Sequence, residues 1–153
     1  MITIIKNGNI LDAPQPNIAH QVNCRSVMGG GVALAIRQKY NQHYADYMSD
    51  KRFPEEKLGT IIHTKIGDKN IFGLYGQLDY SNRNICNTSY KAFFQSLVMV
   101  CENITVPDIA VPYFIGADLA GGDWKVIYKI IEDVGIAYNV NFFVYDLFNK
   151  HNQ

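Results

Sequence analysis

Twice in this chain a short strand-like run passes through glycines into an amphipathic run, and that pairing limits the fold more than any other feature. The first passage reads Asn23-Cys24-Arg25-Ser26-Val27-Met28-Gly29-Gly30-Gly31-Val32. The second reads Ile115-Gly116-Ala117-Asp118-Leu119-Ala120-Gly121-Gly122-Asp123-Trp124. Glycine permits positive φ and leaves no Cβ between backbone and ligand. A helix N-terminus adds unbonded N–H groups and a partial positive charge, a setting that suits phosphate. Two such turns at the carboxyl ends of strands point to a clasp for the two phosphates of a dinucleotide-like ligand. One such turn alone is an ordinary strand-to-helix connection; two in one chain are not. Neither passage contains G-x-x-x-x-G-K-[ST], and the first lacks the G-x-G-x-x-G spacing of the dinucleotide fold.

The rest of the chain alternates between the two periods. Residues 2–6 are β-branched and end at Asn7-Gly8-Asn9, a strand and a turn; Pro14 and Pro16 keep the next stretch irregular. Residues 18–23 alternate as a second strand. After the glycine triplet, Val32, Ile36, Tyr40, Tyr44 and Met48 predict one helix that ends before Pro54. Residues 60–65 and 70–77 predict a strand pair split at Gly67-Asp68, and residues 78–87 an exposed loop. Asn87 or Thr88 is placed to cap a helix that buries Tyr90, Phe93, Phe94, Leu97, Val98 and Cys101. Residues 109–114 predict a buried strand, Asp123 a cap for a helix through Trp124, Ile127, Tyr128 and Ile131, and residues 141–146 a last strand. Strands interleaved with helices predict an α/β domain built as a three-layer sandwich.

The totals exclude several classes. With 153 residues, 48% hydrophobic and 18% charged, the chain reads as one globular domain over residues 1–153. Fourteen Lys and Arg balance fourteen Asp and Glu, so no overall charge draws it to nucleic acid or to an anionic membrane. Cys24, Cys86 and Cys101 are odd in number and lack C-x-x-C spacing, which argues against a disulfide framework and for a reducing, cytoplasmic setting. The sequence from Met1 has neither the charged start nor the long apolar core of a signal peptide, and no apolar run is long enough to span a bilayer. His20, His43, His63 and His151 are scattered without ligand spacing, so no metal and no cofactor is expected.

Ordered along nearly the whole chain, these motifs resemble the macro domains, in particular the branch that processes ADP-ribose 1″-phosphate in phage and bacterial members. Gly8-Asn9-Ile10-Leu11 is similar to the entry motif after the first strand. His20-Gln21-Val22-Asn23-Cys24 followed by Met28-Gly29-Gly30-Gly31-Val32-Ala33 resembles the main signature. Ile115-Gly116 through Gly121-Gly122-Asp123-Trp124 resembles the second phosphate loop, and the run from Phe72-Gly73 to Gln77 a segment of phage and bacterial members. The resemblance implies a three-layer α/β/α sandwich with a central mixed sheet, a monomer, and a cleft for an ADP-ribose-type small molecule. It also implies roles. Asn9 stands where many members have an aspartate that bonds the adenine amino group, with Gly8 and Ile10 beside it. Asn23 matches the asparagine at the distal ribose. Met28, Gly29, Gly30, Gly31 and Val32 match the loop beside that ribose and the phosphates. Ile115, Gly116, Ala117, Asp118, Leu119, Ala120, Gly121 and Gly122 match the loop that wraps the diphosphate from the other side.

Three residues are candidates for chemistry. His20 precedes Asn23 by three positions, and a histidine near neutral pH serves as nucleophile or general acid, or else packs in a core. Strict alternation groups His20 with Val22 and Cys24 and sets Gln21 with Asn23 on the other face. Asp123 is placed either to orient water or simply to cap a helix. Asn23 fixes the ribose between them. The resemblance also shows a departure: the branch that removes ADP-ribose from glutamate relies on a lysine after the fourth strand, where this chain has Tyr75-Gly76-Gln77-Leu78. The expected reaction is hydrolysis of ADP-ribose 1″-phosphate to ADP-ribose and phosphate. The alternatives are a module that binds ADP-ribose, or a cyclic signal related to it, without turnover, and a glycohydrolase that works without lysine. Phe114, Tyr75 and Tyr113 are the aromatics placed to stack on adenine or cover a ribose.

Overall fold

In a computed structural model describing residues 1–80 and 85–152, six strands form one mixed sheet flanked by helices. The strands are β1 (Ile2–Lys6), β2 (Asn17–Asn23), β3 (Ile61–Ile66), β4 (Lys69–Gln77), β5 (Asp108–Pro112) and β6 (Asn141–Asp146). Their order is β1-β6-β5-β2-β4-β3; every neighbouring pair is parallel except β3 with β4. The helices are α1 (Gly31–Lys39), α2 (Asn41–Ser49), α3 (Pro54–Lys57), α4 (Tyr90–Glu102) and α5 (Trp124–Tyr138), with short 3-10 turns at Ile10–Asp12 and Lys150–Asn152. Among the described residues no helix is long and apolar enough to cross a membrane.

Period-two alternation along the central strands sorts side chains between two layers. Ala19, Phe72, Leu74, Ile109, Val111, Phe142 and Val144 meet Phe93 and Leu97 of α4 and Ile127, Ile131 and Val134 of α5. Ile18, Ile71 and Ala110 point the other way, onto Ile36 and Tyr40, while Val22 and Tyr75 meet Tyr47 of α2. Each fully buried large side chain adds about 1.5–3 kcal/mol from burial. β2 has six of its seven residues buried, as expected of a parallel strand covered on both faces.

The structure departs from the sequence expectations at four places, each with a local cause. The helix predicted from Val32 to Met48 is two helices that break at Tyr40, where φ is −120° and ψ 67°. A four-residue repeat drifts about 40° per step on a 3.6-residue helix, so one straight helix cannot keep that stripe inside. The break turns His43 and Tyr47 inward and leaves Val32 and Met48 more than a third exposed. Pro54 opens the short α3 instead of only ending what precedes it. α4 is capped by Ser89, whose Oγ accepts from the Ala92 N–H at 3.2 Å, because the Thr88 hydroxyl is engaged elsewhere; Phe94 is 47% exposed and lies off the buried face. β5 ends at Pro112, and Phe114 turns the chain with φ of 63°. The loop expected over residues 78–87 falls partly outside the described residues.

Candidate functional site

At the carboxyl ends of β2 and β5 the two glycine-bearing passages face each other across a cleft of about 390 Å³. That volume lies within the range of small-molecule sites. Asn23, Met28, Gly29, Gly30, Gly31 and Val32 line one side; Ile115, Gly116, Asp118, Leu119 and Ala120 line the other. Val22, Gln21 and His20 of β2 form the floor, and Gln77, Tyr80, Tyr113 and Phe114 complete the lining.

The first loop delivers an open helix end. Gly30 is the N-cap of α1 and offers no side chain to its amides. Among the described residues the N–H groups of Gly29, Gly31, Val32 and Ala33 have no hydrogen-bond acceptor, and helical bonding begins with Leu34 N–H to Gly30 O at 3.2 Å. Such orphan amides at a helix start favour an anion. Arg37 braces the loop from beneath, donating to Met28 O at 3.3 Å while its guanidinium lies 3.8 Å from the Tyr44 ring centroid.

The second loop is shaped by its own backbone bonds. Ala117 N–H donates to Phe114 O, Gly121 N–H to Asp118 O and Gly122 N–H to Gly116 O, all within 3.1 Å. These bonds leave the N–H groups of Asp118, Leu119 and Ala120 without an acceptor among the described residues. Gly121 and Gly122 are held to glycine by packing: a Cβ would come within 2.8 Å of Ile85 O and 2.5 Å of Gly116 O respectively. Ala117, Gly121 and Gly122 are not among the cleft-lining residues. Leu119, 48% exposed, reaches across so that its Cδ1 lies 3.3 Å from where a Cβ on Gly30 would project.

Asn23 and Gln21 hold the two loops in place. The β2–β4 register shifts between Val22 and Asn23, with Val22 opposite Tyr75 and Asn23 opposite Gln77, which leaves Gly76 as the extra residue. Strict alternation sets Asn23 on the face of Gln21; instead its Oδ1 accepts from Tyr47 Oη at 2.9 Å, on the α2 side. The same oxygen accepts from Arg25 N–H at 2.9 Å, and Nδ2 donates to Val27 O at 2.7 Å, so this carboxamide ties down the first loop. Gln21 Nε2 donates to Gln77 Oε1 and Thr88 Oγ1, and Thr88 Oγ1 donates to Gly116 O at 2.6 Å. Gln21 Oε1 is buried without a partner and occupies the space a Cβ on Gly76 would need.

The candidate chemical groups are placed differently from one another. The His20 side chain is buried, with Nε2 2.8 Å from His43 Nε2, and burial followed by the charge of His43 holds its pKa well below the usual histidine value. Asp123 caps α5, its Oδ1 accepting from Lys125 N–H at 2.9 Å, and is not among the cleft-lining residues. Asp118 is the carboxylate on the cleft wall, and no lysine or arginine lines the cleft among the described residues. Arg25, two residues beyond Asn23, is not among the cleft-lining residues and is paired with Asp79 at 2.7 Å. Cys24 packs beneath the loop, 1% exposed, and burial pushes its thiol up to about 11, which removes it as a nucleophile.

The entry motif stands apart from this wall. Asn9 Oδ1 accepts from Leu11 N–H at 3.0 Å and so caps the 3-10 turn, Ile10 is buried, and Gly8 packs on Ile5. None of Gly8, Asn9 and Ile10 lines the cleft. Of the three aromatics singled out, Tyr113 and Phe114 line it, stacked with centroids 4.3 Å apart. Tyr75 is fully buried, stacks on Tyr47 and donates to Asp50 Oδ2, so it is core. The parts that His43, Thr64, Gln77, Thr88 and Arg37 play here are not legible in the sequence, because each acts on a residue more than eight positions away and no local pattern marks such pairs. Among the described residues no group of His, Cys, Asp and Glu is arranged to hold a metal.

No family model matches the chain, and no curated protein matches it. Solved structures do. The macrodomain of Mycobacterium tuberculosis DarG superimposes with a TM-score of 0.79 at 22% identity, covering 95% of this chain and 97% of that one. The macrodomain of Thermus aquaticus DarG gives 0.76 at 24% identity, covering 95% and 97%. Thermosipho africanus DarTG in complex with ADP-ribose gives 0.79 at 16% identity, covering 95% of this chain and 41% of that one. The chain has the macrodomain fold, a six-stranded mixed sheet between helical layers.

Proposed function

We propose that the cleft binds ADP-ribose or a close derivative of it. The observation that carries this reading is the pair of unbonded amide runs facing each other, Gly29 to Ala33 at the uncapped start of α1 and Asp118 to Ala120 opposite. A diphosphate between them is held by backbone N–H groups and the helix dipole, with no need of a lysine or arginine. Tyr113 and Phe114 offer ring surface, and Asn23, which ties down the first loop, is the residue we assign to the distal ribose. The ADP-ribose held by Thermosipho africanus DarTG, which shares the fold, supports the same choice of ligand. Calorimetric titration tests it: ADP-ribose binds one to one, whereas ribose 5-phosphate, which lacks the second phosphate, binds far more weakly.

A second reading is turnover, the release of phosphate from ADP-ribose 1″-phosphate by the ADP-ribose 1″-phosphate-processing branch that the sequence resembles. Water attacks phosphorus, the P–O bond to C1″ breaks, and the proton of water passes to the departing sugar oxygen. The observation favouring it is that His20 and Asp118 both belong to the cleft while Asp123 is engaged as a cap. Phosphate release by the wild type, lost in Asp118→Asn with ADP-ribose affinity kept, supports turnover. Tight binding of the 1″-phosphate with no release makes the protein a binding module.

A further inference from the structure

His20 is the first member of a chain of four groups, of which His20, His43 and Thr64 are buried and Asp46 is half-buried. Its Nε2 lies 2.8 Å from His43 Nε2, His43 Nδ1 lies 3.0 Å from Thr64 Oγ1, and Thr64 Oγ1 donates to Asp46 Oδ2 at 2.6 Å. The chain crosses from β2 through α2 to β3 and returns to α2, where Gln42 Nε2 also donates to Asp46 Oδ1 at 2.9 Å. A carboxylate oxygen only accepts, so the single hydroxyl proton of Thr64 is committed to Asp46. Thr64 Oγ1 therefore accepts from His43, which places the proton of His43 on Nδ1. His43 Nε2 is then bare and accepts from His20, which places the proton of His20 on Nε2. His20 Nδ1 is left as a lone-pair acceptor, and that nitrogen is buried without a hydrogen-bond partner. Both rings stay neutral, as the polarity requires: burial holds His20 well down and His43 down to about 4, although Asp46 pulls His43 upward and His63 pulls it down.

We propose that His43, Thr64 and Asp46 are positioning residues that lock His20, a residue of the cleft floor, as its Nε2–H tautomer, so that its buried Nδ1 is a fixed acceptor for a donor the ligand brings, a sugar hydroxyl or a water that the sugar orders. This rests on the ADP-ribose reading for the identity of the ligand, but the polarity of the chain does not depend on it. A buried acceptor without a donor leaves a defect in the free protein, and supplying that donor favours the bound state. The same lock excludes His20 as a proton donor through Nδ1 and directs its only N–H away to His43.

Nitrogen-15 NMR of the histidine side chains tests this, with His63→Gln and His151→Gln variants used for assignment. The free wild type shows His20 protonated on Nε2 and His43 on Nδ1. Thr64→Val removes the acceptor and releases both tautomers, whereas Thr64→Ser keeps them. Saturation with ADP-ribose shifts the His20 Nδ1 resonance in the direction of a nitrogen that accepts a hydrogen bond. A His20 proton on Nδ1 in the free protein, or tautomers unchanged in Thr64→Val, overturns the lock. Saturable ADP-ribose binding with His20 Nδ1 unmoved overturns its role toward the ligand. If the tautomers are as stated but ADP-ribose does not bind, it is the ligand reading that fails and the lock that stands.

Discussion

Leu119 of one loop rests on Gly30 of the other, its Cδ1 3.3 Å from the position of a Cβ on that glycine. The two runs of free amides therefore belong to a single closed contour, and Gly30 is the point where its geometry is most exposed to test. Gly30 has φ of −145° and ψ of 158°, extended backbone open to any residue. Asp is a strong N-cap and is a few tenths of a kcal/mol better there than Gly. Gly30→Asp therefore folds with stability unchanged or slightly raised in urea denaturation, since a small shift of Leu119 relieves the contact. Its carboxylate takes the amides of α1 and repels phosphate, so ADP-ribose affinity falls by about a hundredfold or more, roughly 3 kcal/mol. Kept affinity in a folded Gly30→Asp protein would remove the first loop from the phosphate site.

Gln21 and Gly76 form a second linked pair. A Cβ on Gly76 overlaps the Gln21 carboxamide, which in turn spaces Gln77, Thr88 and Gly116. Gly76→Ala should cost about 1–3 kcal/mol by overpacking. Gln21→Ala makes room but removes donors to two side chains, so the double variant is more stable than the sum of the single losses. A double-mutant cycle in urea reads this coupling directly; additivity of the two losses would contradict the overlap.

The paired neutral histidines make stability depend on pH. An unfolded histidine titrates near 6.5, while folded His43 is held down to about 4 and His20 is also lowered. Between those values the unfolded chain binds more protons, so stability rises with pH across the window. The contribution is complete above pH 6.5 and is lost as pH falls toward about 4, on the order of 3 kcal/mol for His43 alone. Denaturant midpoints taken from pH 7.5 to 4.5 should fall steadily, and a flat profile would show that the histidines are not buried and neutral.

Asp123 separates capping from chemistry. Asp123→Ala loses the bond to Lys125 N–H and costs about 1 kcal/mol of stability. Asp123→Ser keeps a capping oxygen and restores most of that loss. Because Asp123 lies off the cleft wall, ADP-ribose affinity should be the same in the wild type and in Asp123→Ser. A tenfold loss of affinity in the serine variant would place its carboxylate at the ligand.

Much of this architecture can be read from the residues themselves. The strands at Ile2–Lys6 and Asn141–Asp146, the cap at Asp123 and both glycine passages follow from local pattern, where propensity and packing agree. The break at Tyr40 does not, because a stripe of apolar residues at four-residue spacing fits one drifting helix as well as two straight ones. The turn of Asn23 toward Tyr47 follows from an irregular register across β2 and β4, which alternation within one strand cannot reveal. The lock on His20 joins residues 20, 43, 64 and 46, whose proximity exists only once α2 lies across β2 and β3.

Titration calorimetry of the wild-type protein with ADP-ribose asks whether the cleft takes this ligand at all. The facing amide runs predict saturable one-to-one binding with a dissociation constant of roughly 100 μM or tighter. Absence of saturable binding up to millimolar ADP-ribose, in protein shown to be folded, contradicts the claim that this cleft is an ADP-ribose site.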